Sequence, residues 1–413
     1  MFRKLLSLDE AHNAIARRVR IDALGVEEVT LFESVGRVLA ADIVAANGVP
    51  PFDRSTVDGY AVRAEDTFGA EENRPGTLKI CGTVRTGHLP KVKVGKEQAA
   101  EIFTGAPIPE GADAVVMIED TQRESGQIRV FRATPKYGNV MKAGNDIRKG
   151  EIVLAKGKRL GSREIGAVAS LGMNRVRVQR TPSVAVISTG PEVIKPGNRL
   201  SPGKIYDINS YSLSAAVLES DGKPVHLGIV KDEFSELQEA LVAALKSADI
   251  VVTSGGVSVG PKDLMPKVLA SLGTPGLIFS GIAVKPGKPT TVGVADGKLV
   301  YSLPGHPASA LMIFHLLVRP TIQVMAGITP TKDAELEAVA AARMFSAKGR
   351  RTFVMVRLLE DKAKRIFAEP LSKGDSGAIT TLTKADGFVE IPEDVQFIDA
   401  NEKTIVRLFG QNV

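Results

Sequence analysis

The sequence predicts a multidomain protein, α/β plus β: a doubly wound α/β domain with an inserted β domain, an elongated linker domain and a C-terminal small β-barrel domain. Three observations predict it. From about residue 180, apolar runs alternate with amphipathic helical stretches, the signature of a doubly wound sheet. Between about 50 and 145 the expected strands are short and turn-rich. From about 330 to 413 apolar and polar residues alternate, as in Arg351-Thr-Phe-Val-Met-Val-Arg-Leu, which reads as an all-β cap. At 413 residues the chain is too long for one ordinary core. The predicted boundaries are 1–45 and 147–179 for the two parts of the linker domain, 46–146 for the inserted β domain, 180–328 for the α/β domain and 329–413 for the C-terminal β domain.

Taken in order, Ser7-Leu-Asp-Glu10 is a capping box opening a helix through about Arg20. A second helical segment is expected from Leu31 to Leu39, and Asn47-Gly-Val-Pro-Pro51 breaks the pattern. Val57 to Val62, Leu78 to Val84 and Ala114 to Ile118 read as strands, with one helical turn near Gln98 to Phe103. Glu124-Ser-Gly-Gln followed by Ile128-Arg-Val-Phe131 reads as a hairpin. Gly150 to Ala155 and a helix from Ser162 to Leu171 return the chain to the linker. Then come a strand at Val184 to Ser188, a helix from Asn209 to Glu219, a strand from Pro224 to Val230 and a helix from Glu233 to Ala248. Strands at Gly276 to Phe279 and Val300 to Leu303 follow, and a long helix after Pro307 closes the domain near Ala326.

The chain is organised around Thr253-Ser-Gly-Gly-Val-Ser-Val-Gly-Pro-Lys-Asp263, preceded by the apolar run Ile250-Val-Val. It reads as a buried strand, a glycine-rich turn and a helix with Pro261 in its first turn. Ser254, Gly255, Gly256, Ser258 and Gly260 would let backbone N–H groups approach an anion, as strand-to-helix turns at a parallel sheet edge do. The plain alternative is a tight connection that binds nothing. Lys285-Pro-Gly-Lys288-Pro289 puts two ammonium groups on a rigid turn suited to phosphate. Leu303-Pro-Gly-His-Pro-Ala-Ser309 is another strand-to-helix turn, containing Pro304, Ser309 and His306, a candidate acid/base group. Thr104, in a Pro/Gly-stiffened stretch, could donate to a ligand.

Acids recur in turn-like stretches: Asp58, Asp146, Glu192, Asp232 and Asp263. Oxygen ligands without His or Cys favour Mg²⁺. Each taken singly also reads as an ordinary turn or helix-start acid. Gly256-Val-Ser-Val-Gly260 matches a hydrolase nucleophile elbow, with Asp296 and His306 downstream, although Thr253 to Gly256 separate Ser258 from its strand. The P-loop pattern fails, since Gly281 to Gly287-Lys288 is one residue too long and Pro289 replaces the Ser/Thr.

Composition excludes other classes. The 53 basic residues stand against 47 acids, so the net charge of +6 is mild and suits anionic small molecules. With no Trp, 5% aromatics and Gly-broken basic patches, nucleic acid is not an expected partner. Cys81 is alone and the five His lack metal-motif spacing. The N-terminus meets Asp9-Glu10 before any signal-type core forms, and Ala310-Leu-Met-Ile-Phe is too short to span a bilayer, so a cytoplasmic protein without a membrane partner is expected.

Together these stretches, with Ser55-Thr-Val-Asp-Gly-Tyr-Ala, Thr104-Gly-Ala-Pro-Ile-Pro-Glu-Gly-Ala-Asp, Ser188-Thr-Gly and Asn209-Ser, resemble the molybdopterin molybdenumtransferase family, also represented by the gephyrin E domain. The match runs in order over essentially the whole chain. It implies four domains, a molybdopterin-binding role for 180–328, and an elongated homodimer with shared active sites. It further implies that adenylylated molybdopterin and molybdate give molybdenum cofactor and AMP, with Mg²⁺. Asp58, Thr104 and Asp146 would come from one chain, and Glu192, Asp232, Asp263, Lys285, Lys288 and Ser309 from its partner. Asp263, Glu192 and Asp232 would hold the metal, and contact with the molybdopterin adenylyltransferase is a further expectation. His306, Asn145, Pro191 and Pro261-Lys262 depart from the family pattern and leave molybdate or tungstate open.

Overall fold

A computed structural model describes residues 5–256, 264–330, 333–371 and 379–410. The chain forms two compact units, one of residues 28–35 and 39–177, the other of 1–27, 36–38 and 178–413.

The first unit is built on a six-stranded sheet in the order Ala114–Met117, Gly59–Val62, Gln98–Ile102, Gly76–Val84, Gln127–Val130, Thr121–Glu124. The helical turn expected near Gln98 is instead the Gln98–Ile102 strand, between Gly59–Val62 and Gly76–Val84. Its alanines favour a helix locally, but Ala99, Ala100 and Ile102 are fully buried, and the central sheet position overrides propensity. The predicted hairpin is present, with Ser125 and Gly126 both at positive φ between the paired strands. The helix expected from Leu31 to Leu39 does not form; residues 31–36 are turns. Thr30 and Glu33 cap that turn through mutual hydrogen bonds, and Gly36 at φ +79° stops it from propagating.

The second unit carries the doubly wound domain. Its elements are β1 (Ser183–Thr189), α1 (Asn209–Glu219), β2 (Lys223–Val230), α2 (Phe234–Ser247), β3 (Ile250–Ser254), α3 (Met265–Ser271), β4 (Gly276–Ser280), β5 (Thr291–Ala295), β6 (Lys298–Leu303) and α4 (Pro307–Ile313). The sheet order is β2-β1-β3-β6-β5-β4. The first four strands are parallel, whereas β5 runs antiparallel to both β6 and β4. β5 is an element beyond those that the sequence predicts. Alternate residues feed opposite faces: Ala185, Ile187 and Val251 pack with α2 and α3, while Val184, Val186 and Val252 pack with α1 and α4.

The closing helix is long. Pro307–Met325 spans 19 residues, enough by length and composition to cross a membrane, which corrects the expectation that this stretch is too short. It is 61% buried within the protein, as a core helix is. A π turn at Phe314–Val318 interrupts it, just before Pro320, which cannot donate a helical bond.

In the C-terminal region the strands Glu335–Ala340, Arg351–Glu360, Ile366–Pro370, Gly387–Ile391 and Lys403–Leu408 pair in a closed ring, the small barrel that the sequence predicts. The start of β1 is pinned by Asp249. Its carboxylate accepts bonds from Ser183 N (2.8 Å), Ser183 Oγ (2.7 Å) and Arg180 (2.9 Å). Burial pushes this carboxyl up, but the Ser183 and Arg180 bonds outweigh that and hold it below the ordinary 3.8. A depressed folded-state value means that the ionised group stabilises above the unfolded pKa, and that this is lost as pH falls through the folded one. Asp249→Ala should therefore cost about 2–3 kcal/mol at pH 7 in urea unfolding. That difference should shrink below pH 3.8.

Candidate functional site

The register gathers four strand ends at one edge. Thr189 lies opposite Val230, Ser188 opposite Ser254, and Ser254 opposite Leu303. The turns beginning at Gly190, Lys231, Gly255 and Pro304 therefore leave the same carboxyl edge, where doubly wound folds hold ligands. Because β5 is antiparallel and Thr291 pairs with Ser302, Lys288-Pro-Thr290 reaches that edge as well. Lys285 is exposed and Lys288 half-buried.

At the centre is Gly255-Gly256. Gly255 has φ +99°, and a Cβ there would lie 2.0 Å from the Thr189 carbonyl oxygen. At Gly256, φ +65°, a Cβ would lie 3.1 Å from Asp232 Oδ1. Glycine is needed at the first for space as well as for conformation. Ser254 Oγ donates to Pro304 O (3.0 Å) and accepts from Asn209 Nδ2 (2.8 Å), so this candidate binding hydroxyl is engaged within the protein. Asn209 Nδ2 also donates to Gly305 O at 2.7 Å. Beneath it, Asp207 is 4% exposed and accepts from Ser188 Oγ (2.7 Å), Ser210 N (3.0 Å) and Ser210 Oγ. That network fixes the start of α1, and with it Asn209.

Two acids face this turn region. Burial pushes the Asp232 carboxyl above its ordinary value, and the neighbouring Glu192 charge raises it further. Asp232 Oδ1 is buried without a hydrogen-bond partner among the described residues. Two nearby carboxylates, one with an orphaned oxygen, are hard donors of the kind Mg²⁺ takes. Among the described residues no group of three His, Cys, Asp or Glu could hold a metal. Asp263, the third expected ligand, lies outside them, as do Ser258, Gly260, Pro261 and Lys262. Pro304 and Ser309 are buried, Ser309 in the first turn of α4.

In the other unit, Asp58 and Thr104 come together. Thr104 donates to Asp58 Oδ1 through its backbone N–H (2.7 Å) and its hydroxyl (3.0 Å). The hydroxyl that the sequence offers as a donor to ligand is thus engaged with Asp58 here. Asp146 is exposed on a loop held by its own N–H to Val49 O (3.0 Å) and by the Lys142–Asp53 ion pair (2.7 Å).

The hydrolase reading is overturned. Asp296 sits in the turn between β5 and β6, and His306 follows the far end of β6. A six-residue strand separates them by about 20 Å, so they cannot share a triad. The residues that sequence reasoning missed are Thr189, Asp207 and Asn209. Their signal was polar residues at a strand end and a helix start, in motifs already noticed.

Comparisons with known proteins agree along the chain. Residues 6–172 match the family described as MoeA N-terminal region (domain I and II), 185–324 a probable molybdopterin binding domain, and 337–409 the MoeA C-terminal region (domain IV). The chain is 33% identical to a molybdopterin molybdenumtransferase of Haemophilus influenzae, over 98% of its own length and 99% of the relative's. It is 35% identical to one of Bacillus subtilis, over 89% and 86%. A crystal structure of a molybdopterin biosynthesis MoeA protein from Pyrococcus horikoshii superposes with a TM-score of 0.85 at 43% identity, covering 98% of this chain and 100% of that one.

Proposed function

The chain belongs to the molybdopterin molybdenumtransferase family, and from that premise we propose that it is a cytoplasmic homodimeric transferase of molybdenum cofactor synthesis. It takes adenylylated molybdopterin and molybdate and forms molybdenum cofactor with release of AMP. The observation that carries this reading is the Glu192–Asp232 pair beside the Gly255-Gly256 turn, with Asp232 Oδ1 buried and unpartnered among the described residues.

In this reading the substrate phosphates lie along the carboxyl edge of the sheet. Backbone N–H groups of the glycine turn and the ammonium groups of Lys285 and Lys288 bind them. Glu192 and Asp232, with Asp263, would hold Mg²⁺, which when bound neutralises phosphate charge and polarises the bond to be cleaved. The carboxylates orient the phosphoanhydride and the attacking water, so that breaking the P–O bond leaves AMP. In the homodimer proposed here Asp58, held by Thr104, would be a further acceptor supplied by the other subunit. No covalent protein nucleophile is required.

The test is AMP released from adenylylated molybdopterin with Mg²⁺, titrating molybdate and tungstate separately. Release rising with molybdate is expected. Release rising only with tungstate would make this a tungsten-using member, and tight binding without release under either would replace the transferase by a scaffold that holds the pterin.

A further inference from the structure

Four buried side-chain atoms lack a hydrogen-bond partner among the described residues: Thr189 Oγ1, Asn209 Oδ1, Ser214 Oγ and Asp232 Oδ1. Three of the residues that carry them, Thr189, Asn209 and Asp232, lie around one glycine turn. A Cβ at either Gly255 or Gly256 would lie 3.2 Å from Thr189 Cγ2, and Asn209 holds Ser254, which precedes that turn. Unpartnered buried polar atoms are scarce in native proteins and destabilise them, so a cluster of three at a ligand-type sheet edge calls for a ligand.

The orientation of Asn209 follows from its partners. Gly305 O can only accept, so the amide atom facing it at 2.7 Å must be the NH₂. Both amide hydrogens are then committed, one to Gly305 O and one to Ser254 Oγ. Oδ1 is left as a fixed acceptor. Thr189, 3% exposed at the end of β1 and packed against the same glycine turn through its methyl group, adds a second unpartnered oxygen, its hydroxyl.

We infer that Thr189 and Asn209 are additional substrate-binding residues, and that Asn209 Oδ1 accepts a hydrogen bond from an O–H or N–H group of the substrate. Ionised phosphate oxygens carry no such proton. The two residues therefore recognise the hydroxyl- and amine-bearing part of the adenylylated pterin, while the lysines and glycine N–H groups take its phosphates. This inference rests on the function proposed above.

Three variants test it. Thr189→Val keeps the shape and removes only an unpartnered hydroxyl, so its melting temperature without ligand should equal or exceed that of the wild type. Its KM for adenylylated molybdopterin should rise about 3- to 10-fold with kcat nearly unchanged. Asn209→Ala should raise KM several-fold more than Ser254→Ala, which removes one partner of the amide but leaves Oδ1 in place. AMP alone, titrated by calorimetry, locates the contact. Weaker AMP binding in the variants assigns it to the nucleotide, and unchanged AMP binding with a raised KM assigns it to the pterin.

Thr189→Val with wild-type KM overturns the role of Thr189. Equal effects of Asn209→Ala and Ser254→Ala reduce Asn209 to a brace for the loop. A wild type that releases no AMP defeats the functional reading separately, and in that case equal affinity for intact adenylylated molybdopterin in the wild type, Thr189→Val and Asn209→Ala overturns the inference itself.

Discussion

Gly255→Ala should abolish AMP release and destabilise the protein by roughly 2–4 kcal/mol. Two effects add. The residue sits at φ +99°, where a side chain is strained, and its new Cβ would fall 2.0 Å from the Thr189 carbonyl oxygen. That contact is with backbone at the end of a central strand, so relief requires moving β1 or β3. Either movement displaces Ser254, Asn209 and the turn together. Gly297→Ala is the control. Its φ is +70°, but nothing lies within 4 Å of the added Cβ, and it occupies the β5–β6 turn at the opposite edge. It should cost only about 1 kcal/mol and leave AMP release intact. Urea unfolding of both variants, with AMP release alongside, reads the contrast.

Asp232→Asn should be more stable than the wild type and nearly inactive. Burial raises the Asp232 carboxyl above its ordinary value, and the Glu192 charge adds to this. The folded state then holds its proton more tightly than the unfolded state, so stability falls as pH rises through the folded pKa. At neutral pH the ionised group opposes folding, and the amide removes that opposition. The same change removes a carboxylate that we propose holds Mg²⁺ on the substrate. Since such contacts contribute several kcal/mol to transition-state stabilisation, AMP release should fall on the order of 100-fold or more. A variant that gains melting temperature while losing both Mg²⁺ affinity and turnover identifies a site strained for function. One that loses stability instead would show that Asp232 is structural.

Much of this was legible in the chain because its signals are local. Ile250-Val-Val before a glycine turn, and Leu237, Leu241 and Leu245 on one helical face, specify β3 and α2 without reference to anything distant. Local signals also misled. Gln98–Ile102 carries helix-favouring alanines but is a central strand, decided by the two strands flanking it. The segment at residues 31–36 has helical spacing and a capped turn, yet stops at Gly36.

The candidate site divides in the same way. Glu192 and Asp232 could be picked out as turn acids, but their proximity depends on the pairing of Thr189 with Val230 across the sheet. Asn209 and Thr189 were not singled out because an unpartnered oxygen is a property of the folded surroundings, not of the residue type. Asp296 and His306 fit a hydrolase order in sequence and lie at opposite ends of β6 in space.

The most direct test of the account follows AMP release from adenylylated molybdopterin by the wild type and by Asp232→Asn across a Mg²⁺ titration at saturating molybdate, with Mg²⁺ binding measured by calorimetry on the same samples. The account predicts Mg²⁺-dependent release by the wild type, and weak Mg²⁺ binding with release reduced on the order of 100-fold in a variant that melts no lower. Wild-type release and wild-type Mg²⁺ affinity in Asp232→Asn would contradict it.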